Sequence, residues 1–172
     1  SAELGASLDY RATLAVIARR VVPQLADWCA IQVVEGDRFE TVTVAHVDPE
    51  RVAFAEEVQR RYTIDPDSPT GVPNVVRTGK SVLAPYITDE MLEAGAIDEE
   101  HLRITRDLGL SSVLIVPLTG RSGTFGALTL VYAESGRRYD EADQAFAEEV
   151  ARRAGVAVEN ARGDAHPLPA EG

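Results

Sequence analysis

The sequence contains a single cysteine, Cys29, among its 172 residues. One thiol cannot close an internal disulfide or build a multi-cysteine zinc or redox site, which favours a reducing compartment. Apolar runs are only a few residues long, whereas a membrane-spanning helix needs about 20 apolar residues. No basic segment leads into an apolar one as in a secretory signal. We therefore expect a cytoplasmic chain without a membrane partner.

Basic side chains are outnumbered, because 17 Lys and Arg face 28 Asp and Glu, and the formal net charge is −11. The densest acidic stretch contains Asp89, Glu90, Glu93, Asp98, Glu99 and Glu100. Such a surface repels phosphate backbones and anionic lipids. We expect no nucleic-acid partner.

The common catalytic motifs are also missing. The sequence has no Gly-x-Ser-x-Gly elbow, Walker loop, dinucleotide fingerprint or His-Glu-x-x-His helix. The histidines His46, His101 and His166 are far apart in sequence, which argues against a three-histidine metal site. We predict that the chain is not an enzyme and that any kinase or phosphatase activity lies in parts of the protein outside it.

A length of 172 residues suits one domain. We place a lead-in at residues 1–7, the domain at 8–163 and a disordered tail at 164–172, because the last segment shows no periodicity. The first residue is Ser1 rather than methionine. We interpret the chain as a domain cut from a longer protein.

Hydrophobic spacing and turn chemistry predict helices that alternate with short strands. A first helix is predicted at 14–25, with a kink or a new turn at Pro23. Thr88 and Asp98 are expected to cap two later helices, and Gly79 to end the helix before them. Strands are predicted at 28–35, 38–46 and 81–84, and helices at 49–62, 72–78, 89–94 and 99–108.

The last third of the chain contains the strands that we expect at the centre of the sheet. Strands at 112–118 and 124–132 carry apolar residues on both faces, which indicates that they are covered above and below. A helix that begins after Asp140 is predicted to bury Ala142, Phe146, Val150, Ala154, Ala157 and Ala161. The elements predict an α+β domain with a central antiparallel sheet of five or six strands. Terminal helices cover one face, and middle helices and loops cover a pocket on the other.

The order of these elements resembles a GAF domain over residues 8–163. The likeness rests on Val116-Pro117, the glycine-containing turn at 119–123, and the segments 126–130, 139–143, 88–91 and 107–110. It is most similar to actinobacterial GAF modules that stand beside PAS domains, histidine kinases or stage-II-sporulation-type serine/threonine phosphatases. The resemblance implies a module that senses a small molecule and regulates an adjacent output domain.

The resemblance also implies a pocket between the sheet and the middle of the chain, roofed by residues 65–77 and 86–104. Turn-rich segments over a sheet often form ligand sites. The polar candidates for ligand contact are Arg77, Tyr86, His101, Arg103 and Ser112, and the apolar candidates are Trp28, Phe54 and Tyr62. Each of them also has an alternative interpretation as a solvated or core residue.

The well-known ligands of the family are not specified by this sequence. The Asn-Lys-Phe-Asp-Glu motif of cyclic-nucleotide-binding members is missing. Bilin-binding members attach the chromophore to a pocket cysteine, whereas Cys29 begins a strand and is expected in the core. Haem would need His101, which lies among charged residues and is expected at the surface. The cofactor therefore stays unknown.

A second hypothesis is a ligand-free relay that passes signals between neighbouring domains. The last helix has small residues beside a charged face, so we expect a homodimer through the terminal helices. The hypotheses differ in one prediction. A sensor has a cavity of about 300 to 1,000 Å³ under the middle helices, whereas a relay fills that space with side chains.

Overall fold

The computed structural model describes residues 2–163, and the predicted tail at 164–172 lies outside them. The helices in this range are α1 (Ala2–Val21), α2 (Pro49–Arg61), α3 (Gly71–Thr78), α4 (Asp89–Gly95), α5 (Glu99–Asp107) and α6 (Glu141–Gly163). The strands are β1 (Trp28–Glu35), β2 (Arg38–Ala45), β3 (Val82–Ala84), β4 (Ser112–Gly120) and β5 (Gly123–Tyr132).

The five strands of residues 2–163 form one antiparallel sheet in the order β2-β1-β5-β4-β3. A two-residue turn joins β1 to β2, and its Gly36 has φ 65°, which side chains disfavour. β4 and β5 lie inside the sheet, as their apolar faces predict. The predicted α+β class and antiparallel sheet are confirmed.

One face of the sheet packs against the two terminal helices. The strand residues there are 0% exposed and include Leu114, Val116, Leu118, Leu128 and Leu130. The helix residues buried against them include Tyr10, Leu14, Ala18, Ala147, Ala151, Ala154 and Val158. The prediction that Phe146 lies on the buried face of α6 is wrong, because its side chain is 60% exposed. The buried face is instead formed by residues that include Ala147, Ala151, Ala154 and Val158.

Helix α6 comes very close to β4. A Cβ atom at Gly155 would lie 2.2 Å from the carbonyl oxygen of Thr119, so glycine is needed at this approach. A large side chain on the same face would hold the helix away from the sheet. This explains why alanines face the sheet and Phe146 points outward.

Local chemistry sets the helix ends. Thr88 and Asp98 cap α4 and α5 with side-chain oxygens that accept a backbone N–H of the first turn, as predicted. Gly79 ends α3 with φ 67°, also as predicted. α1 ends at Val21, and residues 22–25 form a separate turn, which is the second of the two outcomes predicted at Pro23.

Candidate functional site

The face of the sheet opposite the terminal helices carries several side chains that are only half-buried. On β1 this face presents Trp28, Ala30 and Gln32. A set of half-buried residues, here called the central floor, consists of Ala30, Ala84, Val113, Thr129 and Val131. Because most of these residues lie on interior strands, their exposure means that open space remains above the sheet.

Helix α3 covers the part of this face next to the central floor. Its Val72 and Val75 pack against Ile115 of β4 and Ala127 of β5. Residues from the first half of the expected roof therefore touch the sheet directly. Val113 of the central floor packs against the same cluster.

Trp28 lies at one end of the central floor and is 7% exposed. Its ring lies 4.3 Å from that of His46, centroid to centroid. Nδ1 of His46 accepts the N–H of Asp48 at 3.0 Å, and Nε2 is hydrogen-bonded to Glu134. The indole N–H of Trp28 is buried and has no partner among the described residues. Buried donors in proteins are usually paired with a protein group or with water.

Tyr62 and His101 are brought together at the junction of α2 and α5. Their ring centroids are 4.6 Å apart. The Tyr62 hydroxyl donates to Asp98 at 3.2 Å, and desolvation together with this hydrogen bond raises the pKa of Tyr62. Nδ1 of His101 accepts the N–H of Ile97 at 3.1 Å. Tyr62 also lines the space between α2 and β2.

Two other predicted anchors hold neighbouring segments. Arg77 donates to the carbonyl oxygens of Pro66 and Ser68 at 3.2 and 2.6 Å, so it fixes the loop before α3. Tyr86 is 65% exposed, and the guanidinium of Arg138 lies 4.3 Å from its ring centroid. Both side chains are engaged at the surface.

Phe54 and Arg103 also lie at the surface. Phe54 is 48% exposed on α2. Arg103 is ion-paired with Glu100 and Asp107 at 3.7 and 3.6 Å along its own helix. The structure does not place these two side chains over the central floor.

Ser112 lies on the opposite face, the one covered by the terminal helices. It is 0% exposed and alternates with Leu114, which belongs to the main core. Its Oγ accepts the N–H of Tyr139 at 3.0 Å and donates to the carbonyl oxygen of Ala84 at 3.4 Å. Ser112 thus connects β4 to the segment before α6.

Asp27 fixes the turn that follows β5. Its Oδ2 accepts the N–H of Ala133 at 2.7 Å, and the N–H and hydroxyl of Ser135 at 3.0 and 2.6 Å. Burial favours the protonated acid, but these hydrogen bonds and the charge of Arg137 outweigh it and lower the pKa of Asp27. The carboxylate is a structural group.

A groove of about 430 Å³ opens between β2 and α2 on the same face as the central floor. Gln32 lines it and is 5% exposed, and its Oε1 accepts the hydroxyl of Thr129 at 3.0 Å. The sequence analysis missed Gln32. A single polar residue within the apolar run 28–34 is the signal that could have found it, because buried polar groups need partners.

Cys29 is 0% exposed, and burial raises the pKa of its thiol. The prediction that it is a core residue is confirmed. Residues 2–163 contain no group of three His, Cys, Asp or Glu side chains placed to hold a metal ion. Within the same residues, no helix has the length and apolar character to cross a membrane.

Solved structures share this fold at low sequence identity. The GAF domain/HD domain protein from Geobacter sulfurreducens is 16% identical, with 90% of this chain and 94% of that chain covered and a TM-score of 0.67. GAF-B of DevS from Mycobacterium smegmatis is 15% identical, with 91% and 97% covered and a TM-score of 0.64. GAF3 from Slr1393 of Synechocystis sp. PCC6803 is 17% identical, with 93% and 97% covered and a TM-score of 0.62.

At these identities the solved structures establish the fold alone. No curated protein sequence matches the chain. The sequence model of the GAF domain, however, matches residues 9–158, which is most of the sequence. The chain therefore belongs to the GAF domain family, whose members are sensory and regulatory domains of signalling proteins.

Proposed function

We propose that the chain is a non-catalytic sensor domain of a larger, cytoplasmic bacterial signalling protein. It binds a small molecule over the central floor and regulates an adjacent output domain. The buried, unpaired indole N–H of Trp28 at the edge of the floor carries this proposal. Half-buried Ala30, Thr129 and Val131 leave room beside it.

The proposed mechanism follows from the position of the floor between two sets of helices. A ligand would change how α3 packs over the sheet and so bias the terminal helices on the opposite face, which we expect to connect to neighbouring domains. A kinase or phosphatase output would belong to the parts of the protein outside this sequence.

Native mass spectrometry of the freshly purified chain tests the proposal, with identification of any molecule released on denaturation. We expect one small molecule per chain. The variant Ala30→Leu should lose it, because the larger side chain occupies the space above the floor. The matched control is Ala142→Leu, at an exposed position of α6, and this variant should retain the ligand. Retention by Ala30→Leu would place the molecule elsewhere.

A homodimeric relay is the second candidate, and exposed apolar residues on the terminal helices favour it. Phe146 and Val156 of α6 are 60% and 50% exposed, and Val16 of α1 is 38% exposed. Exposed apolar patches often mark contacts between proteins. We expect sedimentation to show a dimer that Phe146→Glu dissociates and Phe54→Glu does not. A monomer at all concentrations would exclude this candidate for the chain.

A further inference from the structure

A pocket of about 450 Å³, here called the edge pocket, lies at the outer edge of the sheet, where the end of β2 meets the end of α1 and the start of α2. A volume of this size suits a small molecule. None of the residues of the central floor lines it, and neither does Trp28. His46, whose ring lies beside that of Trp28, belongs to its wall. The edge pocket is therefore a neighbour of the proposed sensor site but is built from other residues.

The charges in the lining of the edge pocket favour an anionic group. Arg19 lines it, and no Asp or Glu from the described part of the chain does. The groove between β2 and α2, in contrast, contains Glu40 and Glu56. The edge pocket thus presents a cation without a carboxylate, although the whole chain carries a net charge of −11. A cleft lined by one sign of charge attracts the opposite sign.

A comparison along α1 shows what Arg19 lacks. Arg11 reaches β2 and donates to the two carboxylate oxygens of Glu40 at 3.0 and 2.8 Å. About two helical turns later, Arg19 lies beside the other end of β2, where it lines the edge pocket together with Thr43. Among the described residues, the guanidinium of Arg19 and the hydroxyl of Thr43 have no hydrogen bond or ion pair. A carboxylate from a ligand would supply the acceptor that Glu40 supplies to Arg11.

The remaining lining of the edge pocket is largely apolar. It includes Val22 after α1, Val44 of β2, and Val47, Pro49 and Val52 around the start of α2. Val47 is 66% exposed. A ligand that covers these side chains removes apolar surface from water, which favours binding. The walls therefore suit an apolar body attached to the charged group.

We propose that the edge pocket binds a small carboxylic acid with an apolar body. The guanidinium of Arg19 and the hydroxyl of Thr43 hold the carboxylate, and the body covers the apolar walls. The site goes beyond the proposed sensor function, because it needs neither the central floor nor an output domain. Either proposal can therefore fail its test without affecting the other.

The test uses nitrogen–proton correlation spectra of the 172-residue chain. The signals to follow are the side-chain Nε–H of Arg19 and the backbone N–H groups of Thr43 and Val44. The probes are phenylacetate and its neutral amide, phenylacetamide, which have nearly the same shape. We expect phenylacetate to shift these signals and to bind about fivefold more tightly than the amide, the size of an exposed ion pair. Raising the ionic strength to about 0.5 M should reduce this preference, because salt screens exposed charges.

Two neighbouring arginines give a matched pair of variants. Arg19 and Arg20 are both exposed in the last turn of α1, but only Arg19 lines the edge pocket. Arg19→Gln should remove the preference for phenylacetate over the amide. Arg20→Gln makes the same change in net charge and should alter the preference by less than about twofold, because a charge outside the pocket is screened.

Two further variants separate the polar end of the edge pocket from its apolar walls. Thr43→Val keeps the shape of the side chain and removes its hydroxyl, so it should weaken phenylacetate by about fivefold. Val52→Phe fills the apolar part of the pocket and should weaken the acid and the amide alike.

The proposal is overturned if phenylacetate leaves the Arg19 signal unmoved, if the amide binds as tightly as the acid, or if Arg19→Gln and Arg20→Gln act alike. Shifts confined to Ala30 and Thr129 would place the acid over the central floor and overturn the edge pocket alone. The backbone spectrum of each variant reports whether it is folded. If Arg19→Gln does not fold, Thr43→Val decides in its place.

Discussion

The two faces of the sheet use their side chains in opposite ways. On the face toward α1 and α6, Leu128 and Leu130 of β5 are 0% exposed. On the other face of the same strand, Thr129 and Val131 are only half-buried, and Ala30 of β1 beside them is small. One strand thus contributes to a sealed core and to an open surface.

The difference suggests a division of labour between stability and binding. Each Å² of apolar surface removed from water contributes about 25 cal/mol, so the sealed face supplies most of the hydrophobic stabilisation. The open face leaves part of that contribution unused and keeps space for another molecule. Changes on the sealed face should therefore reduce stability, and changes on the open face should mainly affect binding.

The largest expected effect is a loss of stability, and it differs between two neighbouring residues of β5. Leu130→Ala should lower the free energy of unfolding by about 3 kcal/mol, because it leaves a cavity in the sealed core. Val131→Ala, one position along the chain and on the open face, should cost less than about 1 kcal/mol. Urea unfolding of both variants measures the difference. Equal losses would mean that the two faces do not differ in this way.

The second prediction compares two glycines in helices. Gly155→Ala should cost about 1–3 kcal/mol, because its Cβ meets the backbone of β4. Gly95→Ala in α4 meets no atom within 4 Å and should be neutral or stabilise the chain by up to about 1 kcal/mol. Thermal unfolding separates the variants. A stable Gly155→Ala chain would show that α6 moves away from the sheet at little cost.

The third prediction concerns Asp27 at the end of the sealed face. Asp27→Ala should cost about 2 kcal/mol at neutral pH, since it leaves buried N–H groups of the following turn unpaired. Asp27→Asn should cost less, because an amide oxygen still accepts. The lowered pKa of Asp27 stabilises the fold above the unfolded pKa, and this stability is lost as the pH falls through the folded pKa.

Urea unfolding across an acidic pH series measures this dependence. The gap between the wild-type chain and Asp27→Asn should narrow in acid, once the wild-type carboxylate is protonated. A gap that stays constant with pH would assign the whole effect to packing.

The smallest effect is expected where α4 and α5 meet. Arg106 bridges Asp89 at 2.8 Å and Glu93 at 3.0 Å, and all three side chains are exposed. Arg106→Gln should leave global unfolding nearly unchanged and speed amide hydrogen exchange in α4, because exposed ion pairs contribute little. Arg152→Gln on α6 is the control and should not change exchange in α4. Unchanged exchange in Arg106→Gln would show that other contacts hold this pair of helices.

Helix ends depend on residues that are close in sequence, and they were predictable. Thr88 and Asp98 cap helices because their own side-chain oxygens reach the next backbone N–H groups. Gly79 ends α3 because it readily adopts a positive φ. The position of β4 and β5 inside the sheet followed from their two apolar faces, whereas the full order of the strands was not predicted.

Features that depend on distant pairing were not predictable. Ser112 faces the terminal helices because of its register with Tyr132, and a shift by one residue would turn it to the other face. Phe146 is exposed because Gly155 brings α6 onto β4. The contact of Gln32 with Thr129, 97 residues away, depends on the pairing of β1 with β5.

The contacts of His46 have a mechanical consequence for the domain. Because Nδ1 accepts the N–H of Asp48, the ring must carry its proton on Nε2, where it meets Glu134. Asp48 begins α2, and Glu134 lies in the turn before α6. One imidazole therefore connects the start of α2 to the turn between β5 and α6. Movement of one segment relative to the other would break a hydrogen bond to this ring.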